Sequence, residues 1–239
     1  MVHDANSYSD TWFSLFLRQM APADTAREVE FLKRWIPLPH YRRVFDLCCG
    51  DGRHCELLAS AGYEVTGVDR NEDAIAAARK RCLAGRFVAS DMRDLSGIPG
   101  PFDAVLSLWQ SFGYFDDETN ARLLAGLRDR LAPKGRLILD IHNPAFFQAN
   151  LGTRTFQKAG REIRETKSII GNRLTVEVDY GNDTPPDRFD WRVYNPDELR
   201  DLAGTIGLVP LATCANFDEA VAPSSGSPRM QWVLEAMPR

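Results

Sequence analysis

The stretch Val44-Phe45-Asp46-Leu47-Cys48-Cys49-Gly50-Asp51-Gly52-Arg53-His54 decides how this chain folds. Apolar residues lead into an acid, a loop of small residues follows, and a helical pattern begins near Arg53. Gly50 and Gly52 allow the backbone to turn sharply and to approach a ligand closely. The free N–H groups at the start of the helix offer donors to an electron-rich group. The stretch therefore predicts a strand, a loop and a helix that together receive a nucleotide-like cofactor.

A second predicted strand, Glu64–Asp69, also ends in an acid. Asp69 lies close to the spacing at which a βαβ unit places a carboxylate on the hydroxyls of a cofactor ribose. These two signals are compatible with either a nicotinamide dinucleotide or S-adenosylmethionine as the cofactor, because the adenosine of each binds across this crevice. Asp46 favours the second, since a pyrophosphate gains nothing from a carboxylate at the loop, whereas a cationic amino-acid group does. The third glycine of the dinucleotide pattern is also replaced, by Cys55.

These residues resemble the class I S-adenosylmethionine-dependent methyltransferases, over roughly residues 41–143 and more loosely over the whole chain. Members of that family usually carry an acid-x-Gly-x-Gly-x-Gly loop, and here Cys48 stands in place of the first glycine. The resemblance implies a doubly wound α/β sheet of seven mostly parallel strands, with the last strand antiparallel. It also implies S-adenosylmethionine as the cofactor.

The resemblance further implies where the cofactor is bound. Asp46 and the loop backbone would lie at the methionine end, Asp69 on the ribose, and Asp91 with Met92 at the adenine. The predicted cofactor-binding residues are Asp46, Cys48, Gly50, Gly52, Asp69, Arg70, Asp91, Met92 and Leu108. No metal site is predicted, because adjacent cysteines on a strand point to opposite faces and do not converge on one ion.

Composition and charge narrow the class of protein. The chain has 239 residues, of which 44% are hydrophobic, and this predicts a packed core. The resemblance implies that residues 1–239 form a single methyltransferase domain. The net charge of -4 gives no sign of a basic surface that would bind nucleic acid. A small molecule is therefore favoured as the partner. Because neither a secretion signal nor a membrane-spanning apolar run is found, we expect no membrane partner and a cytoplasmic location.

Residues 1–40 are predicted to form a helical segment that lies over the cofactor. Tyr8 and Trp12 belong to an aromatic-rich opening, and a helix is expected from Ala23 to Trp35. In similar methyltransferases such an aromatic segment is a lid, which makes these two side chains candidates for excluding water from the site of transfer. Simple packing of the aromatic residues on the sheet is an equally open interpretation.

The acceptor is expected at the same edge of the sheet. The loop Trp109–Phe115 follows the fourth strand and resembles loops of family members that methylate small amines, including amino sugars and amino acids. The fifth strand, Arg136–His142, brings His142 to this edge as an orienting group or a proton acceptor, while a purely structural role stays open. The predicted catalytic residues are His142, Tyr8 and Trp109.

After Asn143 the pattern changes to alternating strands, Arg161–Ile170 and Arg173–Tyr180, joined by a hairpin turn at Gly171-Asn172. We expect residues 145–195 to form an inserted antiparallel layer that selects the acceptor or makes a homodimer contact. The predicted function is in-line methyl transfer to a small amine or hydroxyl compound. Two alternatives remain: a methyltransferase of proteins or nucleic acids, and a protein that binds the cofactor without turnover.

Overall fold

Seven strands form the central sheet of the computed structural model, which describes residues 6, 8–17, 21–181 and 184–238. They are β1 (Arg43–Leu47), β2 (Glu64–Asp69), β3 (Arg86–Ala89), β4 (Phe102–Ser107), β5 (Leu131–His142), β10 (Leu208–Cys214) and β11 (Arg229–Ala236). Their order across the sheet is β3-β2-β1-β4-β5-β11-β10. As far as the described residues show, β11 runs opposite to the other six strands of this sheet, and the predicted fold class is therefore confirmed.

Helices cover both faces of this sheet. The helical segments of the described residues are α1 (Asp10–Trp12), a π-helical segment (Phe13–Leu17), α2 (Pro22–Trp35), α3 (Arg53–Ser60), α4 (Glu72–Arg81), α5 (Asp117–Asp129), α6 (Pro144–Ala149) and α7 (Pro196–Thr205). Of these, α1, the π-helical segment and α6 pack with a second sheet instead. The apolar faces of α2, α3 and α4 pack on one side, and those of α5 and α7 on the other. Asparagine and aspartate side chains cap several N-termini by accepting backbone N–H bonds, as Asn195 does at α7.

Strand β1 lies in the middle of the sheet and is buried on both faces. Phe45 and Leu47 pack into the layer with α5 and α7, while Val44 packs into the layer with α2 and α3. Its parallel pairing with β2 aligns Leu47 with Val68, so the acids near the ends of both strands reach the same edge. The alternation of apolar side chains therefore fixes where the site is built.

A second sheet contains β6 (Gly152–Lys158), β7 (Arg161–Ile170), β8 (Arg173–Asp179) and β9 (Asp187–Arg192), all antiparallel. Ile170 pairs with Arg173, which places the turn at Gly171-Asn172 as predicted. The sequence did not predict β6 or α6. Most of β6 is exposed at the edge of its sheet, so it lacks the alternating apolar residues by which a strand is recognised.

One boundary in the central sheet differs from its prediction. Strand β5 begins at Leu131 instead of Arg136, two residues after α5 ends at Asp129. Leu131 already pairs with Phe102 of β4, ahead of the Pro133–Gly135 turn. Among the described residues, no helix is both long and apolar enough to cross a membrane.

Candidate functional site

A cleft with a volume of about 2010 Å³ lies at the carboxyl edge of the parallel strands and is lined by both sheets. Its walls include nearly all of the predicted site residues: Tyr8, Asp46, Cys48, Gly50, Asp69, Arg70, Asp91, Met92, Leu108, Trp109 and His142. Gly52 is the exception. Its φ is +78°, and a Cβ added there would lie 3.0 Å from the Ala78 Cβ, so this glycine serves the turn and its packing on α4.

The loop after β1 is held in shape by Asp69. The carboxylate of Asp69 accepts hydrogen bonds from the backbone N–H groups of Gly50 and Asn71, each at 2.9 Å. Cys48 and Gly50 have φ values of +60° and +55°, which lie in the left-handed region of backbone conformation. Cys48 adopts this region although it carries a side chain. The two acid-terminated strands are thus joined through backbone amides.

Asp46 lies beneath this loop and is 2% exposed. Its carboxylate accepts a hydrogen bond from the Cys55 thiol at 3.4 Å. Burial raises the pKa of Asp46, and the neighbouring His54 opposes that rise. A buried carboxylate with so weak a donor is suited to a cationic group in the cleft.

Asp91 marks another part of the cleft wall. Its carboxylate forms a bidentate pair with Arg93, at 2.8 and 2.6 Å, and these hydrogen bonds lower the pKa of Asp91. Met92 beside it is buried in the main core, while the Arg70 guanidinium donates to the backbone carbonyl of Asn6 at 2.7 Å. The structure therefore ties the loop after β2 to the N-terminal segment.

Below the cleft lies a buried network centred on Glu28, which the sequence did not reveal. Its carboxylate accepts hydrogen bonds from His54 at 2.7 Å, from Arg53 at 2.9 Å and from the Trp109 indole N–H at 3.1 Å. Arg229 lies 3.5 Å from the same carboxylate. Burial acts to raise the pKa of Glu28, but the bond to His54 and the nearby positive charges lower it to about 2.

This network also fixes Trp109. The guanidinium carbons of Arg53 and Arg229 lie over its ring at 4.7 and 4.5 Å. Its backbone N–H donates to Asp140 at 3.0 Å, and Asp140 is in turn paired with Arg229 at 2.6 Å. Trp109 thus lines the cleft with its indole N–H already engaged by a buried acid.

Aromatic side chains enclose the opposite end of the cleft. The hydroxyl groups of Tyr8 and Tyr114 share a hydrogen bond of 2.6 Å, and the Tyr8 ring lies 4.7 Å from the ring of Phe189 on β9. Burial raises the pKa of Tyr8 to about 12 and that of Tyr114 well above its ordinary value. The N-terminal segment therefore contacts both the loop after β4 and the second sheet.

His142, at the end of β5, faces the same enclosure. Its ring lies 4.4 Å from Trp191 and 4.9 Å from Phe147, both edge to face. Both ring nitrogens are buried and have no hydrogen-bond partner among the described residues. Burial, with smaller contributions from Arg229 and Lys167, lowers the pKa of His142 to about 3.

Comparison with known proteins supports the resemblance found in the sequence. A family model described as a methyltransferase domain matches residues 44–135, which contain the loop and both acid-terminated strands. These residues form a methyltransferase domain, and the resemblance to S-adenosylmethionine-dependent methyltransferases is confirmed. The glycine/sarcosine N-methyltransferase of Aphanothece halophytica is 27% identical over 242 residues, 91% of this chain and 87% of that protein.

Solved structures have the same fold as this methyltransferase. An S-adenosylmethionine-dependent methyltransferase from Clostridium acetobutylicum ATCC 824 has a TM-score of 0.77 at 15% identity, covering 95% of this chain and 97% of that one. The amino pentose methyltransferase CalS10 from Micromonospora echinaspora, solved with S-adenosylmethionine bound, has a TM-score of 0.73 at 20% identity. That match covers 98% of this chain and all of the other, 100%.

S-adenosylmethionine is the cofactor of the enzyme, and the polar groups that line the cleft fit it. The buried carboxylate of Asp46 suits an ammonium group, and the carboxylate of Asp69 at the strand edge suits hydroxyl donors. A Cβ added at Gly50 would meet no atom within 4 Å, so the loop leaves open space beside its backbone.

The sequence located the residues of the strand edge and missed those brought in from distant elements. Glu28 is an acid on an amphipathic helix, a pattern typical of a solvated face, and nothing in its neighbourhood indicated burial. Tyr114 lay within the acceptor loop but carried no assigned role. Lys167 and Glu165 of β7 line the cleft and were also missed, because alternating charges are ordinary on an exposed sheet face.

Proposed function

We propose that this methyltransferase transfers a methyl group to the nitrogen of a small amine, with a small hydroxyl compound as the second candidate. The observation that carries the proposal is the enclosed acceptor end of the cleft, where aromatic rings surround a neutral histidine with two unused ring nitrogens. Electron-rich faces of this kind favour cationic groups and exclude water.

The positions of the acids in the cleft support our assignment of residues to the parts of the cofactor. We assign Asp46 to the ammonium of the methionine part, Asp69 to the ribose hydroxyls, and Asp91 with Met92 to the adenine. The other residues assigned to cofactor binding are Cys48, Gly50, Arg70 and Leu108, while Gly52 shapes the turn of the loop. When bound, S-adenosylmethionine supplies an electrophilic methyl group on a sulfonium; the protein orients the acceptor nitrogen in line with it.

The choice of an amine rests on the lack of a strong base among the groups assigned to the acceptor end. With a pKa of about 3, His142 is neutral near pH 7 and takes a proton poorly. The Tyr8 hydroxyl, with a pKa of about 12, stays protonated. An amine attacks as its free base and needs no proton removal beforehand, whereas a hydroxyl is a poor nucleophile until deprotonated. His142 therefore acts as an anchor that accepts a hydrogen bond from the acceptor.

Tyr8 and Trp109 have supporting roles in this proposal. Tyr8, bonded to Tyr114 and packed on Phe189, closes the N-terminal segment over the reacting groups and excludes water. Trp109 positions the loop after β4 through Glu28 and Asp140. Trp109 is therefore a positioning residue in this proposal.

The names of two relatives support an amine acceptor. One is a glycine/sarcosine N-methyltransferase and the other an amino pentose methyltransferase. Protein and nucleic-acid acceptors remain the competing candidates, and the acidic net charge of -4 weighs against the nucleic acid. A homodimer through the second sheet also remains a prediction.

The test is a panel of small amines and their hydroxyl counterparts incubated with methyl-labelled S-adenosylmethionine and purified protein. We expect label in amine members of the panel. His142→Gln and Trp191→Phe should raise KM for the acceptor while cofactor affinity is kept. Trp35→Phe is the matched control, since Trp35 does not line the cleft. Label found only in proteins or nucleic acids, or normal acceptor kinetics in both variants, would refute the proposal.

A further inference from the structure

A charged group on β7 projects into the acceptor end of the cleft and has no part in the function proposed so far. Lys167 and Glu165 both line the cleft, and their side chains form an ion pair of 2.7 Å. The ammonium-bearing side chain of Lys167 is 6% exposed and that of Glu165 is 15% exposed. This ion pair is therefore largely removed from water.

The charges of this group do not balance. Glu165 is shared, because Arg154 of β6 also pairs with it. Two cations thus share one carboxylate. The guanidinium of Arg154 is solvated, since its side chain is 61% exposed, whereas the buried ammonium of Lys167 has this shared carboxylate as its one ion-pair partner among the described residues. A buried ammonium is costly unless it is fully paired, so this arrangement favours the arrival of an anion.

Lys167 stands next to the acceptor anchor. Its Nζ lies 5.8 Å from the ring centre of Phe147, which also contacts His142. The positive charge of Lys167 is one of the causes that lower the pKa of His142. The ring of Trp191 also contacts His142, and its indole N–H is buried without a hydrogen-bond partner among the described residues. The Lys167 ammonium thus lies near one of the two rings packed on His142, and the unused N–H donor belongs to the other.

We propose that the acceptor carries an anionic group, a carboxylate or a phosphate, which binds Lys167 beside His142 and Trp191. This inference rests on the proposed function and names the substrate class. The anionic group accepts a charge-assisted hydrogen bond from Lys167 and a neutral one from the Trp191 indole. The acceptor nitrogen then lies on the cofactor side of His142. Displacement of Glu165 is not needed, because the ammonium has three donors.

The first experiment measures anion binding without turnover. Protein loaded with S-adenosylhomocysteine is titrated with acetate and, separately, with inorganic phosphate at constant ionic strength. The readout is the NMR signal of the Trp191 indole N–H, identified with Trp191→Phe. We expect one of the anions to shift this signal in a saturable way; which one does so distinguishes a carboxylate from a phosphate. Lys167→Met should weaken the binding by about tenfold or more, while Lys167→Arg should retain it.

Lys158→Met is the matched control for this titration. Lys158 is a lysine of the adjacent strand β6, and its Nζ lies over Phe16 at 4.9 Å instead of facing Glu165. We expect this variant to bind the anion as the wild type does. The absence of a saturable shift in the wild type, or an equal shift in Lys167→Met, would overturn the anion site whatever the enzyme methylates.

The second experiment compares acceptor pairs that differ in the anionic group: glycine with glycinamide, and phosphoethanolamine with ethanolamine. We expect the anionic member of one pair to have the higher kcat/KM, and Lys167→Met to remove that preference. Equal use of both members, or transfer to neutral amines alone, would overturn the inference and leave the proposed function standing. Anion binding to Lys167 without methyl transfer to any amine would instead refute the proposed function and leave the anion site standing.

Discussion

The buried carboxylate of Glu28 allows a quantitative prediction about stability. The change is Glu28→Gln, which keeps the shape of the side chain and removes its charge. The wild-type carboxylate is 1% exposed and contacts the cations of Arg53 and Arg229 as well as His54. The variant leaves these positive groups without their acid.

The magnitude follows from the pKa of Glu28. Its pKa is lowered from 4.5 to about 2 in the folded protein. At roughly 1.4 kcal/mol per pH unit, this difference corresponds to about 3 kcal/mol of folding free energy. Because the folded pKa is the lower one, this stability is fully present above about pH 4.5 and is lost as the pH falls towards about 2.

The measurement is urea unfolding of both proteins from neutral pH downward. We expect Glu28→Gln to be less stable by about 3 kcal/mol near pH 7, and the difference to shrink as the pH drops below about 4.5. Glu30→Gln is the control on the same helix, because Glu30 is 61% exposed and pairs only at the surface with Lys33. Its effect should stay within about 0.5 kcal/mol. A difference for Glu28→Gln below about 1 kcal/mol, or one independent of pH, would refute the reasoning.

Other expected outcomes concern the cofactor, the acceptor loop and the histidine. Asp69→Asn should weaken S-adenosylhomocysteine binding by about tenfold or more in calorimetry, because a charge-assisted acceptor is lost; unchanged affinity would remove Asp69 from the site. Gly113→Ala should lower the unfolding free energy by about 2 kcal/mol or more, since φ is +111° and the new Cβ would lie 2.6 Å from the Arg192 carbonyl oxygen. In the same urea assay Gly126→Ala, inside α5, should be neutral or stabilising. For His142, whose pKa is about 3, the ratio of wild-type to His142→Gln kcat/KM should stay flat from about pH 5.5 to about pH 8; a step near pH 6.5 would show that the imidazole titrates normally.

Features set by short-range pattern were predictable from the sequence. The strand, loop and helix around Asp46 arise from a local run of apolar residues, small residues and an acid, and β1 and α3 lie there as predicted. The hairpin at Gly171-Asn172 is equally local. Strand β6 was missed because it is an exposed edge strand whose pairing with β7 replaces the apolar alternation it lacks.

The electrostatics of the site depend on contacts between distant segments. Glu28 is 26 residues from its partner His54 and 81 from Trp109, and no periodicity in the sequence connects them. His142 was identified from its position at the end of a strand, yet its neutral state comes from burial against Trp191 and Phe147. Hence the sequence could propose this residue as a substrate anchor or a proton acceptor, and the burial that lowers its pKa is what favours the anchor in the function proposed above.

The elements around the cofactor edge, the resemblance to methyltransferases and the cofactor were predictable from the sequence, because these follow from patterns a few residues long at the ends of parallel strands. Tertiary structure alone decided which charges are buried together and which side chains enclose the acceptor. The second sheet brings Trp191 against His142 and Lys167 near Phe147, and α2 brings Glu28 beneath Trp109. The physical reason is that a side chain's charge state and availability depend on its neighbours in space, which the packing of whole elements determines.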